Sequence, residues 1–586
     1  VDKIHVWEKY EIALRSEKTY ENPYMDLVVG VLLRGPGFKR RIYGFWDGEK
    51  EFRIRLTATR AGKWNWESFA DVDDRGLCGK RGSYEAIEWT EKQKEENLCL
   101  RGFVRPTDNG HAFELADGTP FFWLADMWLA SSTQYYPWRD DEKEYPIGPE
   151  MGFKDMIRYR KDQGYNGITL IAAFPNWAID RLPASADTDD GLVLRRSWME
   201  NGNLYELDSR KARSKDMHNE GGRPFEFPGP VPGYEDIIPD MTRINPKYFQ
   251  YLDKRIDYCN ANGMIPFLEA WRRDFSSAWS KYCGWPETYI RYLAFLFARY
   301  HANNILFSPI HMDTPDSSIP PREYNAPIKT YLARYGAPPF GTMLSTNASP
   351  STLVNYGNEE WIDFHQIGNE WREHVSYWYL KDIYHAEPTK PALNGEPYTP
   401  GFPPETDIDM FSYEAALYTR AGMYGSVLSG GQAGYVHELQ AMYDGANTEK
   451  AVIKMWDVFD LQTSYQAVYL KNFVMSLNGR HRELIPDSEC IIPNKSGPEF
   501  GWTGWAHCAY TPDKEIFLIY FEKDSPRQGN LLRNAKYDGQ YRVIWFNPRS
   551  GEWLDRGEVI SLDVRGVAGI PPLPDEHDWA LKLILD

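Results

Sequence analysis

Two carboxylates in this sequence stand where an apolar run of β type gives way to a turn. Asp313 lies in SPIHMDTP and Glu396 in NGEPYTP. Their separation leaves room for three strand–helix units, at the roughly 30 residues per unit implied by an eight-unit barrel of about 250 residues. Asp313 is therefore expected at the end of a fourth barrel strand and Glu396 at the end of a seventh. Two carboxylates raised from different strands at one barrel mouth are equipped to break a glycosidic bond, one donating a proton while the other attacks or activates water. Glu396 has the better-fixed backbone, because Gly395 precedes it and Pro397 stops the strand, and a nucleophile has to be held in this way. Each carboxylate also has a plainer explanation, Glu396 as a salt bridge at the rim and Asp313 as the N-cap of a following helix.

Other candidates fall at the expected strand ends: Asp126 and Trp128 after the first strand, Asn176 and Trp177 after the second, Glu269, Trp271 and Arg272 at the third. His311 belongs to the fourth, Tyr398 follows the seventh, and His437 and Glu438 lie on the eighth. Singly, each is more often packing than ligand contact; together they supply the stacking faces and hydroxyl partners that a sugar subsite needs. Glu370 is the competing carboxylate, although it stands one strand–helix unit before Glu396 instead of three. A helix N-terminus explains it as readily as a substrate contact does. A metal held by His311, His365 and His374 is declined for want of a ligand spacing, and no cofactor is implied.

The elements that must position these residues are legible as a change of period. Residues 1 to about 90 alternate in the β manner between NP, GPG and DG turn signals, which predicts a β-sandwich. From 121 onwards apolar strands alternate with amphipathic helical stretches. Strands are expected at 121–126, 166–174, 264–271, 304–310, 340–347, 361–368, 390–397 and 434–440, with helices in PKYFQYLDKRIDYCNANG, ETYIRYLAFLFARYHANN, WREHVSYWYLKDIYH and SYEAALYTRAGMYGSVLSG. Eight such strands make a closed (β/α)8 barrel. The segment 175–245 has no helical period and is expected to be a substrate-shaping loop at the active face. After about 480 the β pattern returns, so the expected domains are 1–95, 96–480 and 481–586, a TIM barrel flanked by two β-sandwiches.

Composition narrows the function classes. A net charge of −18 spread along the chain argues against nucleic acid or an anionic membrane as partner. The 22 Trp and 38 Tyr suit large cores and stacking on sugars alike. No apolar run reaches the length of a membrane helix, and VDKIHVWEKY lacks the build of a signal peptide. A cytoplasmic protein is expected, with a processed secreted one as the alternative. Six cysteines without CxxC spacing read as buried thiols, with a Cys490–Cys508 bridge left open for an exported chain.

YENPYMDLVVGV, YGFWDGEKEFRIRLTATRAGKWNWES and RGFVRPTDNGHAFELADGTPFFWLAD resemble the Ig-like sandwich module and linker that precede the barrels of apiosidase-like glycoside hydrolases. WFNPRSGEW resembles a hairpin of the small sandwich that closes many such enzymes. The resemblance implies a retaining hydrolase with Glu396 as nucleophile and Asp313 as acid/base. The chain departs from the group in having His311 and Met312 where Gly-Gly precedes the aspartate, which alters the pocket more than the chemistry. Asn369-Glu370 in turn resembles the Asn-Glu acid/base pair of the wider clan of retaining barrel hydrolases. Exo-action on a β-linked sugar of a plant-type glycan or oligosaccharide is the expected activity. A catalytically inactive carbohydrate-binding protein on the same barrel is the alternative, and the retention of both carboxylates argues against it. The oligomeric state is not readable.

Overall fold

The computed structural model describes residues 2–173, 195–200, 203–208, 218–226, 239–271, 284–312, 321–368, 372–400, 408–443, 445–447 and 453–586. Near the N-terminus, five strands form a sheet in the order Asp2–His5, Arg81–Ile87, Gly62–Ala70, Val29–Gly35, Phe38–Tyr43, and Tyr10–Arg15, Glu51–Leu56 and Phe45–Gly48 form a second. In Tyr10–Arg15 the alternation is direct: Ile12 and Leu14 are buried while Ala13 and Arg15 are exposed. Buried residues of both sheets meet in one core, with Val31, Leu33, Trp64 and Tyr84 from the first and Ile12, Leu14, Ile54 and Leu56 from the second.

Seven parallel strands follow among the described residues: β1 (Trp123–Met127), β2 (Gly167–Ala173), β3 (Ile265–Trp271), β4 (Leu306–Ser308), β5 (His365–Gly368), β6 (Ala392–Glu396) and β7 (Gly434–His437). They lie side by side in the order β4-β3-β2-β1-β7-β6-β5. Every residue of β2 and β3 is buried, as parallel strands covered on both faces require. The expected strand over 340–347 is replaced by a short segment that bridges the two edges of the sheet. There the Phe307 amide donates to the Met343 carbonyl and the Ser345 amide to the Phe307 carbonyl, both at 3.0 Å, while the Asp363 amide donates to the Leu344 carbonyl at 2.7 Å. Pro338, Pro339 and Gly341 at φ +91° deny this segment a regular start. Its end, Asn347–Ala348, turns to pair with His311–Met312. The sheet is thus curled.

The longer helices among the described residues are α1 (Phe153–Gln163), α2 (Pro246–Ala261), α3 (Glu287–Tyr300), α4 (Asn325–Tyr335), α5 (Val375–His385), α6 (Tyr413–Leu428) and α7 (Gln462–Met475). Asn245 caps α2, accepting from the Lys247 amide with Pro246 at the first turn. The segment expected to be one loop over 175–245 contains two antiparallel pairs, Arg195–Glu200 with Asn203–Asp208 and Phe225–Glu226 with Asp240–Ile244.

A buried ionic clamp ties the first sheets to the helices. Asp253 on α2 accepts from Arg55 at 3.0 and 2.6 Å and from Arg299 on α3 at 2.8 and 2.7 Å. Arg299 also donates to Asp47 at 2.9 Å. Burial pushes the Asp253 carboxyl up, but the two guanidinium groups outweigh it and hold the carboxyl well below the usual range.

The C-terminal region forms a six-stranded sheet, Ile485–Pro486, Ala506–Tyr510, Ile516–Phe521, Trp579–Leu585, Gln540–Asn547, Glu552–Ser561, and a three-stranded one of Ile491–Ile492, Leu531–Arg533 and Val567–Gly569. The WFNPRSGEW segment is the turn of an antiparallel hairpin. These strands cover α6, which is buried from Ala415 to Leu428 without an exposed face. Arg420 forms a bidentate pair with Asp578, both bonds at 2.8 Å, and Tyr424 stacks on Tyr520 with centroids 4.7 Å apart. Cys490 and Cys508 are free thiols, as are Cys78, Cys99 and Cys259, so the bridge left open between the first two is not formed; Cys283 lies outside the described residues. Among those residues no helix is long and apolar enough to cross a membrane.

Candidate active site

Three strand ends bring Glu269, His311 and Glu396 together. Glu269 lies on β3, His311 follows β4, and Glu396 is the last residue of β6. His311 Nδ1 is 2.7 Å from Glu269 Oε2, and His311 Nε2 is 3.8 Å from Glu396 Oε1. The first contact is at hydrogen-bond distance; the second is too long for a hydrogen bond and falls within ion-pair range. Glu269 and His311 are fully buried, and Glu396 keeps 3% of its surface. The glycine before Glu396 has a steric cause, since a Cβ on Gly395 would stand 2.1 Å from Gln366 Oε1. Gln366 is itself tethered, its Nε2 donating to Ser345 Oγ at 3.2 Å and its amide to Thr352 Oγ1 at 3.1 Å. Beside Gly395, Asn394 donates to Ser426 on α6 at 3.0 Å. The two residues before Glu396 are therefore constrained, Asn394 by its bond to α6 and Gly395 by the close approach of Gln366.

An aromatic residue stands two positions beyond each of the two glutamates in sequence. Trp271, at the end of β3, stacks on Tyr289 of α3 at 5.5 Å. Tyr398, two residues beyond Glu396, meets Tyr418 edge-on at 5.9 Å. Glu438 follows β7 and is 7% exposed.

Asp126, Trp128 and His437, expected to contact sugar, belong to a different buried group. Asp126 accepts from Arg160 of α1 at 2.6 Å and from Trp128 Nε1 at 2.8 Å. His437 Nδ1 lies 3.4 Å from the other Asp126 oxygen, and its Nε2 is 3.2 Å from Thr463 Oγ1 of α7. Burial pushes the Asp126 carboxyl up, but the Arg160 guanidinium and His437 outweigh it, so the carboxyl sits below its usual range; burial likewise lowers His437. Trp128 packs on Tyr136, Phe153 and Phe459. The polar atoms of these residues are held by one another, by Arg160 of α1 and by Thr463 of α7.

Asp313, Asn176, Trp177, Arg272 and Glu370 lie outside the described residues. The three histidines weighed for a metal have separate partners: His311 faces the two glutamates, His365 Nε2 lies 3.2 Å from Asn358, and His374 Nε2 lies 3.0 Å from both Glu522 oxygens. Sequence reasoning missed the pairing of Glu269 with His311. Their places at the ends of neighbouring strands 3 and 4 were the signal that could have revealed it.

The curled parallel sheet thus brings two carboxylates, Glu269 and Glu396, to one histidine at the carboxyl ends of its strands. Solved structures agree in fold. A candidate glycoside hydrolase from Bacteroides vulgatus ATCC 8482 is similar with a TM-score of 0.65 at 15% identity, covering 100% of both chains. A family 5 glycoside hydrolase from the same organism gives 0.56 at 13% identity over 83% of this chain and 94% of its own, and another glycoside hydrolase 0.54 at 14% over 83% and 97%. No curated protein matches. The family itself is settled by sequence: the family described as "Apiosidase-like, catalytic domain" matches residues 107–479, and the chain belongs to it. Residues 3–71 match a domain family of unknown function, DUF5060.

Proposed function

We propose that the protein is a retaining glycosidase in which Glu396 is the nucleophile and Asp313 the acid/base. The observation that carries this reading is the fixed, buried Glu396 at the end of β6, with His311 Nε2 at 3.8 Å. Asp313 follows His311 by two residues, and two residues span at most about 7 Å. In the first step Glu396 attacks the anomeric carbon while Asp313 gives its proton to the glycosidic oxygen; the bond to that oxygen breaks, leaving a glycosyl ester and an alcohol. Water then loses a proton to Asp313 and attacks the same carbon, which releases the sugar and restores both carboxyl groups. Retention requires the carboxyl groups to stand about 5 to 5.5 Å apart, against about 6.5 to 9.5 Å for inversion.

We read the curled sheet with its bridging segment as an eight-stranded (β/α)8 barrel over 96–480, flanked by sandwiches over 1–95 and 481–586. The substrate is a β-linked sugar of a plant-type glycan or oligosaccharide, cleaved from the chain end. The test is chromophore release from a panel of aryl pyranosides and furanosides by wild type and by Glu396→Ala. Turnover that disappears in the variant and returns with azide as a glycosyl azide of inverted configuration supports the reading. Full turnover by Glu396→Ala sinks it.

A further inference from the structure

The proposed mechanism uses Glu396 and Asp313 and leaves two fully buried ionisable side chains beside the nucleophile without a task. Glu269 and His311 come from neighbouring strand ends, and their 2.7 Å contact fixes which imidazole nitrogen faces which carboxylate. With Nδ1–H donated to Glu269, Nε2 is the nitrogen that faces Glu396. The contact can take two protonation patterns. A neutral imidazole would set two carboxylates about an uncharged ring in a site almost closed to water, which disfavours ionisation of one of them. An imidazolium set between them balances one charge and lets both remain carboxylates.

Resting on the reading of Glu396 as nucleophile, we propose that Glu269 and His311 are a positioning pair: Glu269 holds His311 as an imidazolium whose Nε2–H faces Glu396, keeping that carboxylate ionised and aimed at the anomeric carbon. The pair makes and breaks no bond to substrate. When the glycosyl ester forms, Glu396 loses its charge, and the imidazolium stays balanced by Glu269. Among the described residues, the other titratable groups at the neighbouring strand ends are Tyr398 beyond β6 and Glu438 beyond β7; Arg272, Asp313 and Glu370, at the same strand ends in sequence, lie outside the described residues. His437 does not join them, since its ring faces Asp126 and Thr463.

Two measurements test the pair. Glu269→Gln keeps a hydrogen-bond acceptor for Nδ1–H and removes the charge, so a merely structural contact survives while an electrostatic one does not. The acid limb of kcat/KM against pH, followed on an aryl glycoside, is expected to move up by about one unit or more, and kcat to fall by about tenfold or more. An unmoved acid limb in a folded variant overturns the pair. If Glu396→Ala is at the same time inactive and rescued by azide, the nucleophile reading stands and only the pair is lost; if Glu396→Ala is fully active, both fall. Neutron diffraction from wild-type crystals at neutral pH needs no variant. Deuterium on both His311 nitrogens is the expected result, and a single deuteron on the ring refutes the proposal.

Discussion

Asp253 is the point at which the N-terminal sheets are pinned to α2 and α3, and replacing it by asparagine should loosen that junction before anything else. The side chain accepts four hydrogen bonds at 2.6 to 3.0 Å from two guanidinium groups. Arg55 retains 5% of its side-chain surface and Arg299 none. The neutral amide of Asp253→Asn would leave these cations with one carbonyl oxygen between them and only their second carboxylates, Glu11 for Arg55 and Asp47 for Arg299. Removing one partner from a buried ion pair costs about 3 to 5 kcal/mol, equivalent to a change of between about a hundred and a few thousand fold in the opening equilibrium. A chain of this size need not unfold in one step, so the assay is hydrogen exchange of backbone amides in Glu51–Leu56 and α2, beside limited proteolysis. Arg55→Met leaves Asp253 with Arg299 and should cost less. Joint replacement of Asp253 by Leu and Arg55 by Met, which leaves Arg299 with Asp47, should recover part of the loss. The clamp holds a depressed carboxyl, so its contribution is complete above the unfolded value near pH 4 and is lost only as pH falls through the much lower folded value. Exchange in Asp253→Asn within threefold of wild type, or an Arg55→Met defect larger than that of Asp253→Asn, refutes this account.

Gly395→Ala should lower kcat by about a hundredfold, because the clash with Gln366 displaces Glu396 by a fraction of an ångström; adding Gln366→Ala should return part of it in the same steady-state assay. Asp126→Asn leaves Arg160 buried without its carboxylate and should cost about 3 to 5 kcal/mol in denaturation, with KM of the folded enzyme unchanged; a large rise in KM without loss of stability would return Asp126 to the sugar site. Burial pushes Asp363 up to about 6, against the pull of the Leu344 amide and Lys390. With the folded value above the unfolded one, stability falls as pH rises from about 4 to 6, by about 1 to 3 kcal/mol. Asp363→Asn should flatten that limb and raise the melting temperature at pH 7, as scanning calorimetry would show.

Much of the parallel sheet can be read from sequence because buried strands are continuous apolar runs: ITLIAA and IPFLEA allow little else. The segment over 340–347 is harder, since its apolar residues resemble a strand and its short bridging role depends on the edges it meets. At the site, strand ends are legible but side-chain direction is not. Asp126 reads as a sugar ligand from its strand-end position, and its bond to Arg160 of α1 is what the strand pattern leaves out. Phe153, Met156 and Ile157 begin an apolar stripe there, and Arg160 occupies its next position. A guanidinium on a buried stripe demands a buried carboxylate, and that demand is the missing clue to Asp126.

The helix that follows the Glu396 strand has no outside. Its sheet-facing side and its far side are both interior, and the far side is completed by strands that come much later in the chain. The hydrolase region therefore has no natural cut at its downstream end. A truncation after α7 would strip Asp578 and Tyr520 from α6 and expose an apolar surface in the helix leading away from Glu396. The late strands work as the closing wall of the catalytic unit, and expression of the unit without them should yield aggregate instead of a smaller enzyme.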